Sequence, residues 1–297
     1  MGTPQQPSSS PDLPRDTSLI PSEGGEIFQQ SPGPEIVTAR DDTRLQVEHV
    51  MYDGYEGDTG KMADMAKVYE AAYALGKKLG IESLDRPYTI PYFDGKEPLD
   101  SGVSACWLFP GGHLTIHTFD KKRTVFVDVA MMDSANGDAV GIVRDSMRAA
   151  FGVTRDDTFL RGDNPVDNPD VIPEAFGPHL TFNGQLSASQ MSLDWFYEFL
   201  EEIPLEIGMT PISTPTGLKQ KGKDGKRQWD GLAIIAESHI AIHAKPDGRY
   251  YFDIFSCKAF DTDAFLQLAR DKGLDIDEST VTLAVRGKDF PKTPKHE

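Results

Sequence analysis

One stretch of this chain occurs twice, and that constrains its fold more than any other feature. Residues 113–129 read HLTIHTFDKKRTVFVDV and residues 239–254 read HIAIHAKPDGRYYFDI. Each copy has the form H-[LI]-x-I-H, then a short polar turn carrying Asp120 or Asp247, then an aromatic-rich run ending at Asp128 or Asp253. Four of the seven histidines fall in these copies, so composition alone does not explain the match. In an extended strand, side chains alternate between faces. His239, Ala241 and His243 therefore project to one side and Ile240 and Ile242 to the other. The isoleucines predict a core beneath a sheet, and the histidines predict a polar layer above it.

The surrounding elements repeat in the same order. In 41–162 the pattern predicts a strand at 45–50 and a helix over 61–79 with Asp58 or Thr59 as cap. Strands follow at 103–109, 114–119 and 124–131, and then a helix over 138–150 that stops at Gly152. Segment 163–178, with four prolines and no period, reads as a linker. In 179–290, strands at 179–182 and 206–212 flank a helix at 192–202 that Ser192 can cap. After a basic turn at 221–227 come strands at 231–236, 239–244 and 249–256. A helix at 263–272, capped by Thr262 and ended by Gly273, and a strand at 280–286 complete the copy. The duplication has a spacing of about 126 residues. Residues 1–40, rich in Pro, Ser, Gly and Gln, read as a disordered tail, and 291–297 as a second tail.

Composition narrows the function. A formal charge of −17 disfavours nucleic acid, whose phosphates need a basic face. No apolar run is long enough to span a membrane, and no secretory signal pattern opens the chain. Two cysteines, Cys106 and Cys257, do not make a disulfide framework, so a cytoplasmic protein with reduced thiols is expected. Histidine pairs such as His113/His117 and His239/His243 permit metal binding by spacing. A metal site needs further ligands, and beyond Cys257 the sequence offers neither Cys-x-x-Cys nor His-Glu-x-x-His, so no metal is expected.

The copies differ where chemistry would lie. Glu237-Ser238 precedes the second and Cys257 follows it, whereas the first has Gly111-Gly112 and Met132 at those places. The second copy reads Glu237-Ser238-His239-Ile240-Ala241-Ile242-His243, then Asp253-Ile254-Phe255-Ser256-Cys257 at hairpin distance. This resembles the bacterial type of S-adenosylmethionine decarboxylase, whose motif runs E-S-H-[IL]-[ST]-I-H-T-W-P-E followed by D-[VIL]-F-T-C.

The resemblance implies an enzyme made as a zymogen that generates its own pyruvoyl prosthetic group. Ser238 attacks the carbonyl of Glu237, the cleavage-site residue, and converts the peptide bond to an ester. β-Elimination then splits the chain, and loss of ammonia leaves pyruvoyl at position 238. The resemblance assigns His243 as the processing base and Cys257 as the proton donor to the decarboxylated substrate. A thiol suits that task because its ordinary pKa of about 8.5 is close to neutrality. The pyruvoyl ketone would form a Schiff base with an amino-acid-type substrate and accept the electrons released with carbon dioxide. Gly112 has no hydroxyl, so the first copy is a degenerate one.

By resemblance, Trp229, Lys245 and Asp247 are candidates for substrate binding. Lys245 stands near the place where relatives carry an adenosine-stacking Trp, and Phe93, Trp107, Phe119 or Tyr250 are candidates to replace it. The substrate expected is S-adenosylmethionine, feeding spermidine and other polyamine synthesis. An arginine or ornithine decarboxylase and a non-catalytic paralogue are the alternatives. The fold expected is α+β: two similar halves, each an antiparallel sheet with helices on one face, packed as an αββα sandwich. Relatives pair as dimers, so one chain here would imitate a dimer, with further self-association left open.

Overall fold

The computed structural model describes residues 45–83, 85–93, 101–132, 137–161, 177–222, 224–236 and 238–290. The expected tail at 1–40, the 291–297 tail, Glu237 and all but the last two residues of the expected linker lie outside them.

Two six-stranded antiparallel sheets carry the fold. The first half runs β1 (Val47–Tyr55), α1 (Thr59–Ala63), α2 (Met65–Lys78), β2 (Tyr88–Phe93), β3 (Gly102–Phe109), β4 (Gly112–Phe119), β5 (Thr124–Met132), α3 (Ala139–Phe151) and β6 (Arg155–Leu160). The second runs β7 (Gly177–Gln185), α4 (Leu193–Glu206), β8 (Thr216–Lys221), β9 (Arg227–Ile235), β10 (Ser238–Ala244), β11 (Arg249–Ser256), α5 (Thr262–Asp271) and β12 (Asp275–Arg286). Sheet order is β2-β3-β4-β5-β1-β6 in one half and β8-β9-β10-β11-β7-β12 in the other. Strand for strand, these are the same topology, so the duplicated motif is β4–β5 in one sheet and β10–β11 in the other.

Alternation along the strands explains the layers. Ile240, Ile242 and Ala244 of β10 join Phe252 and Ile254 of β11 in a core with Phe196, Leu200 and Ile203 of α4 and Phe265 of α5. The first sheet packs Leu114, Ile116, Val125 and Val127 against Val68, Ala72 and Leu75 of α2 and Val143 and Met147 of α3. The opposite faces meet each other: Cys106 and Leu108 of β3 pack with Leu232, Ile234 and Ala241 of β9 and β10. The molecule is an αββα sandwich of two similar halves.

Several local expectations shift. The expected helix over 61–79 is interrupted at Asp64, whose carboxylate accepts from Ala66 and Lys67 N–H and starts a new helix. α4 extends to Glu206 through Pro204, and of the strand expected at 206–212 only a bridge of Pro211 to Ile235 and a hydrogen bond from Ile212 N–H to the Ile234 carbonyl form. Edge strand β8 begins at Thr216 instead. Asp261, rather than Thr262, caps α5. β7 includes Gly177 and Pro178, two residues of the expected linker.

Candidate active site

β9 ends at Ile235 and β10 begins at Ser238, and the two residues pair directly across a tight connection. Ser238 has a φ of +146°, a backbone region that L residues rarely adopt. Such a conformation costs on the order of 1–3 kcal/mol. Its side chain is buried, and its hydroxyl has no hydrogen-bond partner among the described residues. A buried, unsatisfied hydroxyl is a second cost of about 1–3 kcal/mol at the same residue. Both unfavourable features thus coincide at the residue to which the sequence assigns the nucleophile.

On its other flank Ser238 pairs with Ser256 of β11, so half-buried Cys257 follows directly beside the start of β10. β7 crosses this corner closely. A Cβ on Gly177 would lie 1.7 Å from the Ser256 carbonyl oxygen and 3.0 Å from the Cys257 Cα, so only glycine fits there. Strand pairing therefore brings Ser238 and Cys257 to one corner.

His243 is not brought there. It stands five residues along the same strand, roughly 16 Å from Ser238 at the usual rise. Its Nδ1 lies 2.9 Å from Asp230 Oδ1, and its Nε2 lies 2.9 Å from His113 Nδ1. The Gly111 N–H donates to the same Asp230 oxygen. His243 thus serves the Gly111–Gly112 end, the degenerate counterpart of the Ser238 corner.

An imidazole of the first copy lies against His239, the neighbour of Ser238. β4 and β10 cross antiparallel between the sheets, so His113 meets His243 while His117 meets His239, the neighbour of Ser238. The His117 and His239 rings stack at 5.3 Å, with His117 Nε2 3.1 Å from His239 Nδ1. Ser104 Oγ lies 2.9 Å from His117 Nδ1. Ser104–His117 and Asp230–His243 are therefore matching pairs in the two halves. The sequence contained the signal: a two-fold relation sets the far end of each strand against the near end of its partner.

Trp229, Lys245 and Asp247 also lie away from Ser238. Trp229 pairs with Ala244, at the opposite end of β10, and Lys245 and Asp247 belong to the turn beyond it. Trp229 carries Lys219 over its ring, and exposed Asp247 is held by Arg249. The aromatics close to the Ser238 end are Phe119, Phe126, Phe255 and Phe290, a buried cluster in which Phe119 and Phe126 come from the first copy. Phe119 follows His117-Thr118, so the first copy keeps the His-Thr-aromatic order that the second has lost.

The layer between the sheets is strongly polar. Asp53, Asp128, Asp230, Asp253, Arg286 and six histidines are buried in it. Arg286 donates to Asp53 and to both oxygens of Asp128 at 2.6–2.7 Å, with Phe126 and Phe255 rings on its guanidinium. Burial alone would raise the Asp253 pKa, but His113, His179 and His239 reverse this and hold it well below the carboxylate range. A cavity of about 490 Å³ opens at the Gly111 turn, bordered by Phe109, Met132, Lys221 and Gln228.

Among solved structures, the adenosylmethionine decarboxylase from Aquifex aeolicus VF5 is similar over 42% of this chain and 96% of its own, at 17% identity and a TM-score of 0.32. An unknown protein from Galdieria sulphuraria matches 82% of this chain and 100% of its own, at 11% identity and a TM-score of 0.18. No curated protein sequence matches the chain significantly. The family model for S-adenosylmethionine decarboxylase matches residues 48–155 and again 191–287, one match in each half and about two-thirds of the chain together. This chain belongs to the S-adenosylmethionine decarboxylase family.

Proposed function

We propose that the chain is a self-processing, pyruvoyl-dependent decarboxylase of S-adenosylmethionine with one working site, at the Ser238 corner. The observation that carries this reading is the state of Ser238, a strained and buried residue with an unpartnered hydroxyl beside Cys257. Backbone strain at the cleavage position raises the energy of the intact peptide relative to the ester, and the orphaned hydroxyl loses no hydrogen bond when it attacks. These residues fit a pyruvoyl group formed from Ser238, which supplies an electron sink for the charge left when carbon dioxide departs.

The remaining work belongs to the chain's own residues. His117, held through Nδ1 by Ser104, takes the processing-base role that the motif alone gave to His243. Cys257 holds the proton that goes to the substrate α-carbon. Phe119, Phe126 and Phe255 form a buried apolar cluster next to this end. The match of both halves to the S-adenosylmethionine decarboxylase family supports a nucleoside-bearing amino acid over a small one. The first copy then contributes a base to the second copy's nucleophile, as one protomer of a dimer would serve the other.

Carbon dioxide release from S-adenosylmethionine, arginine and ornithine, compared at equal concentration, tests the substrate. Turnover of S-adenosylmethionine at least tenfold above the other two, about 1.4 kcal/mol, is expected. Faster release from either free amino acid would overturn the substrate assignment.

A further inference from the structure

The polar layer holds a group of side chains that processing does not use, and their spacing limits which ring nitrogens can carry protons. Asp230 Oδ1 accepts from the Gly111 N–H and from His243 Nδ1–H. A neutral His243 then presents a lone pair at Nε2, so His113 donates its Nδ1–H across 2.9 Å. Neutral His113 is left with a lone pair at Nε2. That nitrogen is fully buried, has no hydrogen-bond partner among the described residues, and lies 3.8 Å from Asp253 Oδ2. A lone pair facing a carboxylate is repelled unless a positive charge lies between them.

Two further observations point to a cation. Asp253 Oδ1 is also buried without a partner. Among the described residues, four buried carboxylates share the layer with one guanidinium, Arg286, and six histidines.

We propose that His113 Nε2, His239 Nε2 and the Asp253 carboxylate hold a divalent transition metal of the zinc class. One ligand atom from each of these residues lies within 4.8 Å of the others. Tetrahedral ligands at zinc bond lengths stand about 3.3 Å apart. The Asp253 Oδ2 distances to His239 Nε2 and His113 Nε2, 3.1 and 3.8 Å, bracket that value. Asp253 Oδ1 offers a second oxygen. The Asp230–His243–His113 chain orients a ligand imidazole through a carboxylate, as outer-shell partners of metal sites do. His239 Nδ1 likewise has His117 Nε2 at 3.1 Å. His49, His179 and Asp253 form a second triad of similar spacing. It is less suited, because none of its ring nitrogens is left unpartnered, whereas the first triad has His113 Nε2 unpartnered among the described residues.

The test uses the full chain without an affinity tag, produced in zinc-supplemented medium and dialysed before elemental analysis. About one zinc per chain is expected, and cobalt reconstitution should give the visible bands of a tetrahedral ion. His113→Gln should lose both signals at least fivefold, while His49→Gln keeps them. Wild-type protein with less than about one-tenth of a zinc per chain and no cobalt bands would overturn the site. So would undiminished metal in a folded His113→Gln. The wild-type measurements decide alone if that variant does not fold, and neither readout depends on turnover.

Discussion

Ser238 and Gly112 occupy equivalent places in the two hairpins, but the first copy has lost more than a hydroxyl. A Cβ at Gly112 would stand 2.1 Å from the Ala130 carbonyl oxygen and 2.5 Å from the Phe109 ring, so the backbone has closed over the space a serine needs. Gly112→Ser is therefore expected to lower stability by about 1–3 kcal/mol in a denaturant melt and to create no second cut. Cys257 is assigned a step after processing. Cys257→Ala should still self-cleave on a gel yet release carbon dioxide at least tenfold more slowly, a loss of about 1.4 kcal/mol or more. Wild-type turnover would return Cys257 to a packing role. Both residues were legible in the sequence because each differs between otherwise matching copies. The strain at Ser238 was not, since φ depends on how β9 turns into β10.

At the scale of elements, β10 carries Ser238 at one end and His243 at the other, and in the proposed reading pairing across the sheets decides which imidazole acts at Ser238. His117→Ala should slow cleavage at least a hundredfold, about 2.7 kcal/mol, whereas His243→Gln should leave cleavage within a few fold of wild type. The reverse result, read from the time course of chain splitting, would restore the base that the contiguous motif suggests. Periodicity showed the hairpins because Ile240 and Ile242 alternate cleanly with His239 and His243. It did not show edge strands β2 and β6, whose residues are only partly buried and so lack a clean alternation. The strand expected after α4 is reduced to a bridge at Pro211 beside β9.

Across the whole molecule, duplication in the sequence becomes a sandwich whose two sheets share a charged interior. Arg286 illustrates what pattern alone misses. It lies on the last strand with no motif around it, yet it joins Asp53 and Asp128 of the first half to the second. Arg286→Met would leave two buried carboxylates without their guanidinium, and a loss of about 3–5 kcal/mol in denaturant unfolding is expected. The central claim, that Ser238 splits the chain, is tested most directly by the intact mass of purified protein. Two pieces are predicted, residues 1–237 and residues 238–297, the smaller with a blocked N-terminus and the loss of one ammonia. Ser238→Ala should give one uncleaved chain without activity. A wild-type preparation that decarboxylates its substrate as a single uncleaved chain would contradict the account.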